Sequence, residues 1–121
     1  MKSGYGKSKF YDGTQFSGKF KFGLRNGYGV CQWTHGATYV GEWTSDEIDG
    51  NGIYTYPNGC VYEGEFRKGV RHGYGTFKWA DGSNYIGSWY EGKQHGNGLL
   101  KGRHGEERKG LFRDGLCIKW L

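Results

Sequence analysis

The sequence has little cysteine and no long apolar run, and each of these shortages argues against a class of protein. The three cysteines are odd in number and form no CxxC pair, so free thiols in a reducing compartment are expected instead of a disulfide framework. No window holds the roughly 18 apolar residues of a transmembrane helix. Residues 1–13 lack the apolar stretch of a signal peptide. We therefore expect a soluble, cytoplasmic chain.

Glycine and aromatic residues, in contrast, are abundant and recur at fixed positions. The chain has 25 glycines, and aromatic residues make up 18% of it. The segment YEGEFRKGVRHGYG at 62–75 has counterparts at 16–29, 39–52 and 85–98, a period of 23 residues without an insertion. Glycine alone would suggest a flexible linker, but aromatic residues at a fixed period indicate an ordered repeat architecture.

The repeated pattern, Y-x-G-x-W/F-x-x-G-x-x-H-G-x-G, resembles the MORN repeat. The copies that begin at Tyr62 and Tyr85 match in full, whereas Asn26 and Asp49 stand at the histidine position of the other two copies and Asp46 replaces a glycine. The resemblance covers nearly the whole chain and implies a short protein made almost entirely of repeats. The ending GLFRDGLCIKWL is also similar to that of short MORN proteins from ciliates and related protists.

Short segments of alternating polarity predict β-strands. The five equivalent segments lie at 6–10, 29–33, 52–56, 75–79 and 98–102. A pair such as Asn58-Gly59 or Asp81-Gly82 follows each segment, and such pairs favour hairpin turns. We predict an all-β fold of five stacked hairpins, or ten strands, that form an elongated, twisted, single-sheet ribbon about 48 Å long.

The chain is predicted to form one domain, 1–121. Its repeat units are 4–22, 27–45, 50–68 and 73–91, and a degenerate cap follows at 96–121. Terminal repeats are usually atypical because they face water. In the cap Arg108 replaces the repeated tyrosine, and we expect Leu116, Ile118 and Trp120 to seal the end of the core.

Glycines lie between aromatic residues on the same face of the predicted strands, as Gly64 does between Tyr62 and Phe66. Because a glycine leaves a slot beside the backbone, we predict that rings of one hairpin lie over glycines of the next. Each buried ring contributes about 2–3 kcal/mol. The main predicted core residues are Trp33, Tyr39, Trp43, Tyr62, Phe66, Trp79, Tyr85 and Trp89, joined by Phe10, Phe16, Phe20 and Tyr56.

Charge is distributed unevenly along the chain. Residues 1–29 carry six Lys/Arg against one Asp, a balance of +5. Residues 30–100 carry five against eight Asp/Glu, a balance of −3, and residues 101–121 carry six against three, a balance of +3. The basic ends are either an ordinary solvated surface or sites that meet an acidic partner such as tubulin, anionic lipid or a neighbouring chain.

No motif in the sequence predicts catalysis. The segment 6–8, Gly-Lys-Ser, lacks the earlier glycine, the strand and the helix of a phosphate-binding loop. Glu42, Glu65 and Asp81 form no marked acid/base pair, and no G-x-S-x-G occurs. We therefore predict a protein that is not an enzyme, with no catalytic residue and no cofactor.

Two histidines, His72 and His95, occupy equivalent positions in adjacent repeats. Zinc needs about four ligands, and Asn26 and Asp49 at the same position are poor ones. We interpret this position as a turn residue whose side chain caps backbone groups, and we predict no metal site. Basic residues alternate with aromatic ones at 66–75, but those rings already belong to the core, so no nucleic acid is expected.

A surface for a protein partner is predicted from exposed aromatic and basic residues. Tyr5, Tyr28 and Tyr74 lie between glycines at one repeat position, beside the strand starts and on an edge of the ribbon. With Arg67 and Arg71 they form the predicted partner-binding set. The alternative is that the tyrosines serve ordinary loop packing.

Two functions follow from this reading. The first is a non-catalytic scaffold that binds partner proteins along its repeats, since a curved repeat array offers an extended surface. The resemblance implies scaffolds of cilia, axonemes and other cytoskeletal assemblies. Under this hypothesis the chain could also self-associate end to end. The second is a peripheral membrane module, which the resemblance to the family also implies. It would bind anionic phospholipid through Lys101, Arg103, Arg108 and Lys109.

Overall fold

The described part of the protein forms a single antiparallel sheet of eleven strands that follow one another in chain order. A computed structural model describes residues 3–121. The strands are β1 (Gly4–Lys9), β2 (Gln15–Lys21), β3 (Leu24–Gln32), β4 (Thr38–Thr44), β5 (Glu47–Thr55), β6 (Val61–Arg67), β7 (Val70–Lys78), β8 (Asn84–Tyr90), β9 (Lys93–Lys101), β10 (Glu107–Arg113) and β11 (Leu116–Trp120). The predicted all-β, single-sheet array is confirmed. The described part of the chain contains no helix long and apolar enough to cross a membrane.

The strands that hold the predicted segments begin earlier than the sequence indicated. The segment at 29–33, for example, is the end of β3, which starts at Leu24. Tyr28 and Tyr74 therefore lie inside strands β3 and β7, and the prediction that they sit beside strand starts is wrong. The extra residues pair with the preceding strand across a turn that was not predicted from the sequence.

That turn is a two-residue connection in which both residues have positive φ, as in type I′ hairpins. It recurs five times, and in the third instance Lys68 has φ 49° and Gly69 has φ 83°. A non-glycine residue with positive φ is sterically unfavourable, but the type I′ shape matches the right-handed twist of the strands. The predicted turns at Asp-Gly and Asn-Gly pairs form the opposite edge of the ribbon, where the Phe10 amide donates to the Thr14 carbonyl (2.7 Å).

In one turn an ion pair accompanies the missing glycine. Asp46 has φ 74° at the position where other repeats place glycine. Its carboxylate accepts a hydrogen bond from Nε of Arg25 at 2.7 Å. This hydrogen bond is the main reason that the pKa of Asp46 lies below its ordinary value. The two residues therefore hold a backbone conformation that aspartate tolerates better than most side chains do.

Four aromatic rings, here called the lead rings, lie over glycines of the sheet. They are Phe16, Tyr39, Tyr62 and Tyr85. A Cβ atom added to Gly75 would overlap the ring and hydroxyl of Tyr62, and one added to Gly52 would overlap Tyr39. Tyr62 belongs to β6 and Gly75 to β7, which are parts of different predicted hairpins. The prediction that rings of one hairpin lie over glycines of the next is confirmed.

The lead rings also contact a second aromatic ring on each side. Tyr62 meets Phe66 of its own strand with ring centroids 4.9 Å apart, and it meets Trp89 of the next repeat at 5.4 Å. Both contacts are edge-to-face, the geometry that the charge distribution of aromatic rings favours. The corresponding contacts to the next repeat are Phe16–Trp43 (5.3 Å), Tyr39–Phe66 (5.4 Å) and Tyr85–Phe112 (5.1 Å).

The structure brings the predicted core residues together on one face of the sheet, here called the aromatic face. Tyr39, Trp43, Tyr62, Phe66, Tyr85 and Trp89 are buried in one cluster, and Trp33 and Trp79 are half-buried against it. Phe16 and Phe20 lie in the same cluster, while Phe10 and Tyr56 pack beside it. The cluster also contains residues not in the predicted core, namely Cys31, Ile48 and Phe112.

The C-terminal end differs from the predicted cap, because it forms an eleventh strand. A bulge between Leu111 and Phe112 places Cys117 opposite Phe112 and Trp120 opposite Gly110. These two side chains therefore face the core. Leu116 and Ile118 are 70% and 49% exposed, so their predicted sealing role is wrong. Trp120 does contact Phe112, with ring centroids 6.4 Å apart.

Side chains at the variable histidine position cap the tight turn of the following repeat. Asn26 Oδ1 accepts a hydrogen bond from the Ser45 amide (3.0 Å), and His72 Nδ1 accepts one from the Glu91 amide (3.4 Å). Asp49 likewise accepts from the amide of Lys68. This is the capping role that the sequence predicted, although the capped amide belongs to a neighbouring unit.

Each lead tyrosine donates its hydroxyl hydrogen to a carbonyl three residues further along its own strand. For Tyr62 the acceptor is the Glu65 carbonyl at 2.9 Å. The register shifts between Gly64 and Phe66, so Glu65 has no partner on β7 and its carbonyl is left for the hydroxyl. Phe16 occupies the same position in the first full repeat but has no hydroxyl to donate.

We predict opposite effects for two hydroxyl substitutions. Tyr62→Phe removes the bond to the Glu65 carbonyl and should lower the free energy of unfolding by about 1–2 kcal/mol. Phe16→Tyr creates the equivalent bond to the Lys19 carbonyl and should raise it by up to about 1 kcal/mol. Urea denaturation measures both. Equal effects of the same sign would contradict the assigned role of the hydroxyl.

We also predict that the sheet unfolds in alkali. Burial raises the pKa of Tyr85 to about 12, and burial likewise raises the pKa of Tyr39 and Tyr62. An unfolded tyrosine ionises near pH 10. A raised folded pKa gives stability that is complete below about pH 10 and is lost as the pH rises towards about 12. Melting temperature measured against pH, together with tyrosinate absorbance, should show unfolding and ionisation in the same interval. A melting temperature that stays unchanged through that interval would contradict the prediction.

Candidate partner-binding groove

A groove of about 680 Å³ runs across strands β3 to β7 on the face opposite the aromatic rings, here called the groove face. Its lining side chains alternate along each strand with the residues that face the core. Val40 and Glu42, for instance, flank Gly41 between the buried Tyr39 and Trp43. The lining residues are Tyr28, Val40, Gly41, Glu42, Asn51, Gly52, Ile53, Val61, Glu63, Gly64, Tyr74, Gly75, Thr76 and Lys78.

The floor of the groove combines aliphatic side chains with bare backbone. Val40 pairs with Ile53 across β4 and β5, and Ile53 is 40% exposed. Gly41 pairs with Gly52, and Gly64 pairs with Gly75. The side-chain positions of these glycines point to the aromatic face, where the rings of Tyr39 and Tyr62 fill the space, so the glycines contribute backbone atoms to the floor.

Beside the floor runs a row of tyrosine and acidic side chains, here called the tyrosine–glutamate row, and all of its members except Glu65 line the groove. In order across the strands it consists of Tyr28, Glu42, Asn51, Glu65 and Tyr74. Tyr28 pairs with Glu42, Asn51 pairs with Glu65, and Glu65 Oε2 accepts the Tyr74 amide at 3.1 Å. Tyr28 and Tyr74 are 56% and 58% exposed, which leaves two ring surfaces available at the ends of the row.

Backbone shape fixes the two glutamates of this row. Glu42 and Glu65 each occupy the residue at which the register shifts. Their carboxylates fold against Gly50 and Gly73, where an added Cβ atom would overlap them. Both glycines have positive φ, 101° and 80°, so the backbone conformation also favours glycine there.

The groove is acidic. Glu42, Glu63 and Glu65 are exposed, and none of them forms an ion pair with another residue in the range 3–121. Lys78 lies on the opposite side of the groove, next to Val61 across β6 and β7. Glu42 and Glu65 belong to the tyrosine–glutamate row, whereas Glu63 lies beside Ile53 in the floor. The groove therefore offers apolar contacts at Val40 and Ile53 and negative charge that no ion pair within residues 3–121 neutralises.

The predicted partner-binding tyrosines share this face but not all of them line the groove. Tyr28 and Tyr74 line it, whereas Tyr5 lies further along the same face, opposite Lys19 on the neighbouring strand. Tyr5 is 79% exposed. The part played by the tyrosines in binding a partner stays a prediction.

Arg67 and Arg71 do not join the tyrosines. Arg71 lies on the aromatic face, where its guanidinium stands 4.7 Å from the ring centroid of Trp89 and donates to the Gly92 carbonyl (2.8 Å). It therefore packs against the core, because its strand begins before the tyrosine and the alternation places it on the other side. Arg67 is exposed at the end of β6, outside the groove.

The four basic residues predicted for lipid do not form one free patch. Lys101 forms an ion pair with Glu107 (3.4 Å), and the guanidinium of Arg108 lies 4.1 Å from the ring centroid of Trp120. Arg103 and Lys109 are exposed. Two of the four cations are thus engaged within the chain. No group of three or more potential metal ligands occurs among residues 3–121.

Four residues that shape the groove were not predicted as site residues from the sequence: Val40, Ile53, Val61 and Glu63. Alternation had already separated Val40 from the aromatic face, and that was the available signal. The pattern of a single strand does not show which outward residues of neighbouring strands lie side by side. The cross-strand register aligns these residues into a continuous apolar and acidic surface.

Comparison with known proteins gives a match to one repeat family and to several curated proteins. The model of the MORN repeat matches residues 1–15, 16–38, 39–61, 62–84 and 85–106. In an alignment of 63 residues that covers 48% of this chain, the sequence is 36% identical to Alsin from Mus musculus, Pan troglodytes and Homo sapiens. The matched segment makes up 4% of the length of each Alsin.

Proposed function

The chain belongs to the MORN-repeat family, and on that premise we propose that it is a non-catalytic scaffold that holds a segment of a partner protein in its groove. MORN repeats are non-catalytic modules that interact with proteins or membranes. The observation that carries the proposal is the groove of about 680 Å³ with an apolar floor and two exposed tyrosines.

The composition of the groove suits a protein partner. Tyrosine is enriched at protein interfaces, and rings that become buried there often supply much of the binding energy. Strands β3 to β7 each pair with a neighbour on both sides, so their backbone groups are already used. A partner is therefore recognised by side chains, and not by adding a strand to this part of the sheet.

The finer part of the proposal concerns place and assembly. We propose a structural role in a cytoskeletal assembly of the cytoplasm, such as a cilium or axoneme, and this rests on the resemblance to the family. We also propose that the chain self-associates end to end. In the described part of the chain, β1 and β11 each pair with one neighbouring strand, so each has a free edge.

Binding to anionic phospholipid is the alternative. It would use Lys101, Arg103, Arg108 and Lys109, of which Lys101 and Arg108 already have partners within the chain. Each basic residue near an anionic membrane contributes about 1 kcal/mol, so the remaining two would support only weak attachment. The groove therefore has the stronger support.

Paired substitutions test the groove. Proteins that co-purify with the chain from native cells would be identified by mass spectrometry, and the main one would be expressed for affinity measurements. Tyr28→Ala combined with Tyr74→Ala should weaken its binding at least about tenfold, since two exposed interface rings are lost. Tyr11→Ala is the control, because Tyr11 is fully exposed in a loop outside the groove.

Two results would contradict the groove proposal. One is an affinity that the double variant leaves unchanged while circular dichroism shows it to be folded. The other is sedimentation of the chain with anionic vesicles that salt abolishes, in the absence of any protein partner. Binding of a partner that survives moderate salt supports the proposal, because surface charge alone is screened under those conditions.

A further inference from the structure

Equivalent positions in successive repeats carry different charges along the groove face. The position is the residue where the register shifts, here called the bulge position, and its occupants are Lys19, Glu42, Glu65 and Ser88. In each case the side chain lies against a glycine of the next strand. The backbone thus presents a regular series of side chains whose charges read positive, negative, negative and neutral.

The spacing of this series matches an α-helix. Successive bulge positions are two strands apart, which is about 9.6 Å along the ribbon. Seven residues of an α-helix rise about 10.5 Å. In an extended segment, successive side chains on one face are about 6.7 Å apart. This spacing differs from the separation of the bulge positions, so such a segment cannot place a side chain at each of them.

We propose that the groove recognises an amphipathic helix that carries Lys or Arg at two positions seven residues apart. The two cations face Glu42 and Glu65, and an apolar stripe lies over Val40 and Ile53. This inference rests on the proposed function and specifies the chemistry of the partner. The helix lies along the ribbon, across the strands.

Charge complementarity supports this occupant. Glu42 and Glu65 form no ion pair within residues 3–121. Each lies beside an exposed tyrosine in the tyrosine–glutamate row. They stand about 9.6 Å apart, too far to share one small cation. A helix with two cations at matching separation meets both carboxylates at once, and its apolar side covers Val40 and Ile53 in the floor.

The remaining charges specify the rest of the helix. Lys19 lies one repeat before Glu42, so an acidic residue is expected seven positions before the first cation or after the last one, according to helix direction. Lys78 lies across the groove from the glutamates. An acidic side chain on the opposite flank of the helix would meet it. The flank charges therefore set the direction in which the helix runs.

A charge-swap selection tests the inference. A phage library of helical peptides, randomised on one face, would be selected against the natural chain and against a variant with Glu42→Lys and Glu65→Lys. The natural chain should enrich Lys or Arg pairs seven residues apart, and the variant should enrich Asp or Glu at the same positions. A variant with Glu91→Lys and Glu106→Lys is the control, because it changes the same charge outside the groove.

Peptides from the selection give the quantitative result. A peptide selected by the natural chain should bind the Glu42→Lys and Glu65→Lys variant at least tenfold more weakly. Exchange of its two cations for glutamate should restore binding to that variant. The control variant should bind the original peptide as the natural chain does.

The outcomes separate this inference from the proposed function. Peptides that need Tyr28 and Tyr74 but show no charge pattern, or that are extended and rich in proline, overturn the helix and leave the groove as a protein-binding site. Absence of any enrichment that depends on the two tyrosines contradicts both. The seven-residue pattern together with its reversal in the charge-swapped variant supports both.

Discussion

The whole structure depends on a ring that lies over bare glycines. Residues 3–121 form a single layer, and within this range no second layer of helices or strands covers the aromatic face. Instead, each lead ring crosses from its own strand to the next and fills the space left by glycines that pair across the sheet, as Tyr62 does over Gly64 and Gly75. Edge-to-face contacts then join the repeats into one core, so each unit is stable only beside its neighbours.

The same packing shapes the other face. The shift in register beside each lead tyrosine frees a carbonyl for its hydroxyl, and the intervening residue lies on the groove face. In two adjacent repeats that residue is a glutamate of the tyrosine–glutamate row. Core residues of the repeat are therefore nearly uniform, while the outward position varies between Lys19, Glu42, Glu65 and Ser88. The core makes the scaffold, and the variable position can make it selective.

Much of the fold could be predicted because its signals are local and repeat. Alternation predicted the strands, and paired glycine and aromatic positions predicted the core. The tight turns were missed because a pair such as Lys68-Gly69 is a weaker turn signal than Asn58-Gly59. The inward residues of β11 were assigned incorrectly because a bulge changes the alternation, so Cys117 and Trp120 face inwards instead of Leu116 and Ile118. The tyrosines were predicted as a set because they share one repeat position. The groove could not be predicted in the same way, because it depends on cross-strand register. This register places Arg71 against the core and Glu63 in the groove.

Glycine-to-alanine substitution at the ring slots tests this account most directly. Gly52→Ala and Gly75→Ala place a methyl group where Tyr39 and Tyr62 lie, without forcing an unusual backbone conformation. Each should lower the free energy of unfolding by about 2–3 kcal/mol. Gly102→Ala is the matched control, because the atoms nearest to its methyl group belong to the flexible side chain of Glu106, which can move aside at little cost. Equal stability of all three variants in urea denaturation would contradict the central role of rings over glycines.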